Sequence, residues 1–312
     1  MIQVDILLSE DQIAQDFMDA IERHDLPEKF FYWFPLSIRA WINLCGDGAY
    51  RNYVRSHSVL QNHAAEIVSM LPSENIELIS LGAGQGTKDF LIMEQLKKQG
   101  KYLNYRPVDA SQGLLEIACQ SAKDKNFACQ GLKADLNNDS HLTEMQAIFD
   151  ENPRLIMILG NTFGAFDPLK FAAKLDNIMR PQDFLILDGE IFNQTDTLAG
   201  YDNPINRQFA FGPLSSVGLS EPNDGRLHIK TDVDNRQPGF YRIRKHFQAS
   251  RDLKIMLAGE TVKIQSDTNI EMSWSYKYDR DALTGLITSS GMKLMAEFFS
   301  TDNRFVTLLL KK

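Results

Sequence analysis

The chain has 312 residues, 43% apolar and 24% charged, with a formal net charge of −8. That composition excludes a disordered chain, and the acidic balance excludes a general affinity for nucleic acid or anionic membrane. The length suits one large or two modest domains, either able to bury a core. Cys45, Cys119 and Cys129 are odd in number and lack ligand-like spacing, so neither a disulfide framework nor a metal site is expected. Acidic residues come too early for a signal peptide and no apolar run reaches the ~20 residues of a membrane span, so a cytoplasmic protein is expected.

The first seventy residues read mostly as helix. "SEDQIAQDFMDAIERH" opens with Ser9 as N-cap and Gln12 three residues later, followed by apolar residues at helical spacing. "KFFYWFPLSIRAWINL" is unusually aromatic; Phe30, Phe31, Tyr32, Trp33 and Phe34 either pack a core or form a lid over a small-molecule pocket. "SVLQNHAAEIVSMLP" is a second helix, stopped by Pro72. From residue 76 short apolar runs alternate with helical stretches: "IELISLGAG", "YLNYRPVDAS", "FACQGLKADL", "RLIMILGNTFG" and "DFLILDGEIF" are the expected strands. Helices are expected between them, one over "HLTEMQAIFDEN". This is the pattern of an α/β fold, a mostly parallel sheet covered on both faces, with ligands beyond the C-terminal strand ends. After residue 195 the alternation stops in a polar, loop-like stretch, and four antiparallel-looking runs follow, from "LHIKTDVD" to "IEMSWSYKYDR". The basic cluster Arg242, Arg244, Lys245 and His246 reads as a solvated strand face in preference to an anion site. The tail offers a helix and two strands that could complete the main sheet.

The first strand–helix connection, "LISLGAGQGTKDF", breaks at Gly82, Gly84 and Gly86. Such a turn binds phosphate when its backbone N–H groups and the helix N-terminus face an anion. The triphosphate loop needs Gly-x-x-x-x-Gly-Lys-Ser/Thr, and Lys88 after Thr87 is out of that frame; the dinucleotide fingerprint places its third glycine one position beyond Gly86. The turn alone leaves its ligand open. "YRPVDAS" then ends a strand with Asp109, where a carboxylate can accept both ribose hydroxyls of an adenosine; its alternative role is a helix cap. "LKADL" supplies Asp135, suited to accept from an adenine amino group.

On these motifs the chain resembles the class I S-adenosylmethionine-dependent methyltransferases: "LGAGQGTKD", "PVDAS" and "KADL" are similar to their first three motifs. The resemblance implies S-adenosylmethionine as cofactor and S-adenosylhomocysteine as product. It places Gly82, Ala83, Gly84, Gly86, Lys88, Asp109, Ala110, Ser111, Asp135, Gly160 and Asn161 at the cofactor. More narrowly, "HAAEI", "YRPVDAS", "LGNTFGAFDP", "DFLILDGE", "AGYDNP" and "SYKY" resemble, in order, the histidine-specific methyltransferases, from about residue 29 to the end. Those enzymes trimethylate the α-amino group of histidine, and fungal relatives methylate an indole amino acid. The family implies a Rossmann-like methyltransferase sheet over residues 61–195, completed by residues 283–312. It also implies an α+β substrate domain built from residues 1–60 and a β-rich insertion, 196–282.

By the same resemblance Tyr201 grips the substrate amino acid and is the catalytic candidate, and Tyr50 or Tyr53 with Arg55 belongs to the N-terminal substrate segment. Two positions depart from the family. Ala165 stands where an asparagine bonds the substrate's amino group, and Ser273 stands where a glutamate recognises the imidazole, while Ser275 is retained. Glu271 could partly substitute, because alternate strand residues share a face, and Asn161 is either a second donor to the substrate or a loop residue satisfied within the protein. A small amine or amino acid other than histidine is therefore the expected acceptor. The alternatives are histidine itself and a catalytically silent cofactor binder; a nicotinamide enzyme is disfavoured by the glycine spacing. Neither nucleic acid nor membrane is an expected partner, and the sequence leaves the oligomeric state open, a monomer being compatible with it.

Overall fold

Strands buried along their whole length and mostly apolar occur where both faces of a sheet are covered, and this sequence provides three. In the computed structural model, which describes all residues except Met1, Ala49, Ser73, Glu74, Asp150 and Glu151, six strands run parallel. They are β1 (Val4–Ile6), β2 (Ile76–Leu81), β3 (Tyr102–Asp109), β4 (Gly131–Lys133), β5 (Arg154–Ile158) and β6 (Phe184–Glu190). They lie in the order β1-β4-β3-β2-β5-β6. β2, β5 and β6 are buried along their whole length. Successive strands are laid to one side of β2 and then to the other, which opens a crevice at its C-terminal end. The edge strand β1 was not expected; three residues are too few to show a period.

Helices α1 (Glu10–Glu22), α2 (Pro35–Gly46) and α3 (Arg51–Ser69) precede β2. Ser9 Oγ caps α1 by accepting from the Gln12 amide at 3.1 Å. The Gln12 side chain turns instead to Asp16, so no reciprocal box forms. α3 runs unbroken through residue 60, where the sequence reading ended the N-terminal unit. The crossovers are α4 (Asp89–Lys98), α5 (Gln112–Asp124), α6 (Asp139–Ile148) and α7 (Pro168–Ile178). The helix read over "HLTEMQAIFDEN" thus ends before two residues that lie outside the described ones. α3 and α4 pack Val59, Leu60, Ile67, Ile92 and Met93 on one face of the sheet, and α6 and α7 pack Leu142, Met145, Phe171 and Leu175 on the other.

The polar stretch after β6 is helical rather than a loop, forming α8 (Gln194–Tyr201) and α9 (Pro204–Ser216). The asparagines that suggested loop are their caps: Asn193 Oδ1 accepts from the Asp196 amide at 2.9 Å and Asn203 Oδ1 from Asn206 at 3.1 Å, with Pro204 opening α9. Then come β7 (Gly225–Val233), β8 (Phe240–Ala249), the hairpin β9 (Leu253–Leu257) and β10 (Glu260–Ile264), and β11 (Asn269–Tyr278). β11, β8 and β7 form an antiparallel sheet in that order. α10 (Arg280–Ser289), β12 (Lys293–Phe299) and β13 (Phe305–Lys311) return the chain to the main sheet, where β13 lies antiparallel between β6 and β12. Phe17, Phe30 and Phe31 share a core with Phe209, Phe247 and Ile270, so the N-terminal helices and the insertion pack as one body. Among the described residues no helix is long and apolar enough to cross a membrane.

Candidate functional site

A cleft of about 1470 Å³, its open mouth included, lies at the C-terminal end of β2 and under the N-terminal and inserted segments. Its floor is the glycine turn. Gly82, Gly84 and Gly86 have φ of 73°, 55° and 72°, the left-handed region that side chains disfavour, which explains a glycine at every second position. A Cβ on Gly82 would meet Thr162 Cγ2 at 2.6 Å. Gly82, Ala83 and Gly84 line the cleft. Gly86 does not: a Cβ there would meet Tyr105 Oη at 3.0 Å and Ala118, so this glycine seats the turn on β3 and α5. Lys88 does line it, with Nζ packed against Gly160 and 5.6 Å from the Tyr53 ring.

Asp109, at the end of β3, accepts from the Gly84 and Ser111 amides, each at 2.9 Å. Burial raises its pKa above the ordinary value, against the opposing pull of those amides. Ser111, not Asp109, caps α5, by accepting from Leu114; it is fully buried and holds Asp109 rather than lining the cleft. Ala110 and Asp135 are both at the wall. Asp135 accepts from Lys29 Nζ at 2.8 Å, and Lys29 also reaches Asp16 at 2.6 Å.

At the other end, Tyr201 closes α8. Its hydroxyl accepts from Asn52 Nδ2 at 3.2 Å and shares a hydrogen bond with Ser275 Oγ at 3.3 Å. Lys277 donates to Ser275 at 2.7 Å and pairs with Glu190 at 3.3 Å, its ammonium 4.8 Å from the Tyr201 ring. Burial disfavours that charge, yet Tyr201 and Glu190 lift the Lys277 pKa above an ordinary lysine's. Tyr50, Tyr53, Ala165, Asn161 and Gly160 also face the cleft.

Four candidate substrate contacts fail. Arg55 lies away from the cleft, donating to Asp196 and Asp302 at 2.8 Å each, and so ties α3 to α8 and the loop before β13. Glu271 cannot replace the family's glutamate. A bulge in β11 puts Glu271 opposite His246 and Trp274 opposite Arg244, so residues 271 and 273 no longer share a face. Glu271 instead receives Arg244 at 2.9 and 2.7 Å. Ser273, at φ 65°, donates to Glu28 rather than facing the cleft itself. Asn161 spends both amide protons internally, on Ser275 Oγ at 3.1 Å and the Tyr276 carbonyl at 3.2 Å, and its Oδ1 accepts the Glu190 amide at 3.0 Å. It has none left for a substrate.

Glu28, Tyr32, Trp41, Asn206, Phe209 and Lys245 line the cleft without having been singled out as site residues. Of the aromatic run, Phe30 and Phe31 are core and Tyr32 is wall. One signal was legible: in "YRIRKHF" strand alternation puts Lys245 with Ile243 and Phe247, on the buried face.

The residues present suit S-adenosylmethionine. The left-handed turn leaves its backbone open to the cleft, and Asp109 and Asp135 offer carboxylates to hydroxyl and amino donors at two successive strand ends. Residues 11–312 match the family described as histidine-specific methyltransferase, SAM-dependent. The chain is 23% identical over 264 residues to "Ergothioneine biosynthesis protein 1" of Neurospora crassa, with 81% of this chain covered; it spans only 29% of that protein's length. It is 23% identical over 243 residues to "Histidine N-alpha-methyltransferase" of Mycobacterium tuberculosis, covering 75% of this chain and 74% of that one. It is 22% identical over 265 residues to "4-dimethylallyltryptophan N-methyltransferase easF" of Epichloe festucae var. lolii, covering 75% and 76%. The chain belongs to the histidine-specific, S-adenosylmethionine-dependent methyltransferase family.

Proposed function

We propose that this methyltransferase transfers a methyl group to the amino nitrogen of a small amine or amino acid other than histidine. The observation that carries this reading is the single cleft joining the glycine turn, Asp109 and Asp135 at one end to Tyr201 and Ser275 at the other. The intact acceptor-side network speaks against a silent cofactor binder. Ala165 in place of the amine-binding asparagine, and Glu271 drawn away to Arg244, speak against histidine. Histidine remains the second reading because Glu28 brings a carboxylate beside Ser273.

Bound S-adenosylmethionine supplies a methyl group already activated on sulfonium, so the protein's work is mainly alignment. Gly82, Ala83, Gly84 and Lys88 would hold its amino-acid part, and Asp109 and Asp135 its ribose and adenine. On the acceptor side Tyr201 Oη, fixed by Asn52 and Ser275, would accept a hydrogen bond from the substrate nitrogen and orient it, while the ammonium proton passes to water in the open cleft before transfer. Lys277 fixes Ser275 and Glu190 from beneath, so the two hydroxyls cannot turn away. The proposed domain division, an α/β cofactor unit with a substrate unit from the N-terminus and the insertion, is supported by the core that Phe17 and Phe31 share with Phe209 and Phe247. A cytoplasmic setting fits its three cysteines, all free thiols.

The test is transfer of an isotopically labelled methyl group from S-adenosylmethionine to a panel of free amino acids and small amines, read by mass spectrometry. Labelling of an amine other than histidine supports the proposal. Histidine labelled in preference to all others returns the chain to the family's literal activity.

A further inference from the structure

Lys245 is out of place by the rules of its own strand. Along β8 the side chains alternate, and Arg242, Arg244 and His246 take the outer face. Each finds a partner there: Arg242 donates to Asp232 at 2.9 Å, Arg244 to Glu271 at 2.9 Å, and His246 stacks on His228 with ring centroids 5.0 Å apart. Lys245 takes the other face, between Ile243 and Phe247, both fully buried. It is itself only 4% exposed and lines the cleft. Its Nζ lies 4.9 Å from the Phe31 ring, and among the described residues no hydrogen bond or ion pair reaches it.

The neighbourhood explains the direction it faces. Met272 and Ser273, the two residues of the β11 bulge, stand opposite Lys245. Ser273 is the position where the family's glutamate would read the substrate's side chain. Glu28 has come in from the N-terminal segment instead, but its oxygens are engaged by neutral groups, the Tyr32 hydroxyl at 3.0 Å and Ser273 Oγ. Glu28 therefore brings negative charge near Lys245 without taking its protons. Burial pulls the Lys245 pKa below the ordinary value, Glu28 opposes that, and Lys277 adds to it. Lys245 Nζ is not among the enclosed unpartnered atoms, so its three donors open to the cleft, where the apolar surroundings favour an anionic acceptor over a neutral one.

We propose that Lys245, turned into the cleft by strand alternation opposite the β11 bulge, is the specificity-determining residue of the acceptor site and binds a carboxylate carried by the amine substrate. The proposal rests on the methyltransferase reading and names the substrate class within it: an acceptor bearing an acid group away from the nitrogen that is methylated. That group is either the α-carboxylate of an amino acid or an acidic side chain. The two sources share one chemistry at Lys245.

The test pairs acids with neutral counterparts. Wild type, Lys245→Met and Lys245→Arg, loaded with S-adenosylhomocysteine, are titrated calorimetrically with free amino acids, their α-amides and their decarboxylated amines, and labelled methyl transfer is read on the same panel. The preferred acceptor should carry a carboxylate. Its conversion to carboxamide should lower wild-type kcat/KM by about 10- to 100-fold, the range of a lost charged hydrogen bond. Lys245→Met should impose the same loss on the acid and almost none on the amide, while Lys245→Arg keeps part of the preference. A difference between glutamate and glutamine assigns the charge to the side chain; a difference between an amino acid and its α-amide assigns it to the α-carbon. Acid and amide forms used equally by wild type, a Lys245→Met loss that is equal for both, or no acid bound by the loaded protein would each overturn the proposal. Failure of the wild type to bind S-adenosylhomocysteine would instead sink the methyltransferase reading. Thermal unfolding guards against misfolding, since removing an unpartnered ammonium from an apolar face should leave Tm equal or higher.

Discussion

Asn161 separates a structural from a substrate-binding role, and its replacement by alanine gives a number to check. Three side-chain hydrogen bonds are lost, to Ser275, Tyr276 and Glu190. Each is worth about 1 kcal/mol net in a buried setting. Its backbone sits at φ 63°, where alanine is worse than asparagine by about 1 kcal/mol. The expected loss is therefore about 4 kcal/mol, a large part of the roughly 5–15 kcal/mol that holds a domain together. Asn161→Gly should recover about 1 kcal/mol of it by removing the backbone strain. Urea unfolding of the three proteins at one pH gives the differences directly. A loss below about 1 kcal/mol for Asn161→Ala, together with a raised acceptor KM, would refute this reasoning and return Asn161 to the substrate.

Tyr201→Phe removes the hydroxyl shared with Ser275 but touches nothing at the glycine turn, so methyl transfer should fall at least about tenfold with S-adenosylhomocysteine affinity nearly unchanged; comparable losses in calorimetry and turnover would show that the acceptor site is misplaced. Asp109→Asn should do the reverse, weakening cofactor binding by about 1–3 kcal/mol because the Gly84 and Ser111 amides and the ribose hydroxyls lose a charged acceptor; unchanged affinity would reduce Asp109 to a support of the turn. Burial lifts Asp89 from 3.8 to about 6, despite hydrogen bonds from Tyr105 and Ser80. The folded state therefore holds this proton more tightly than the unfolded chain does. Its contribution is fully present below the unfolded value and is lost as pH rises through the folded one, up to about 3 kcal/mol. Asp89→Asn should accordingly gain stability on the wild type between pH 4 and 7, and parallel urea midpoints across that range would count against it.

Much of the glycine-turn end of the cleft was legible because its determinants are local. Gly82, Gly84 and Gly86 betray a left-handed turn by residue type alone, and Asp109 and Asp135 sit where apolar runs end. The fully buried β2, β5 and β6 announce a covered parallel sheet. Local signals also misled: Asn193, Asn203 and Pro204 read as loop, when the same residues cap helices. β1, three residues long, is too short to carry a period.

The acceptor end was decided by the tertiary structure. Glu28 on a short turn, Lys245 on β8 and Ser273 on β11 meet only after the N-terminal helices dock on the insertion. One bulged residue then separates the faces of Glu271 and Ser273, since side chains alternate with a period of two and a shift of one exchanges the faces. By itself the sequence determined the fold class, the glycine turn and the two acidic strand ends, because backbone conformation and burial act over a few neighbouring residues. Which charges face the cleft was left to strand register and to packing between distant segments.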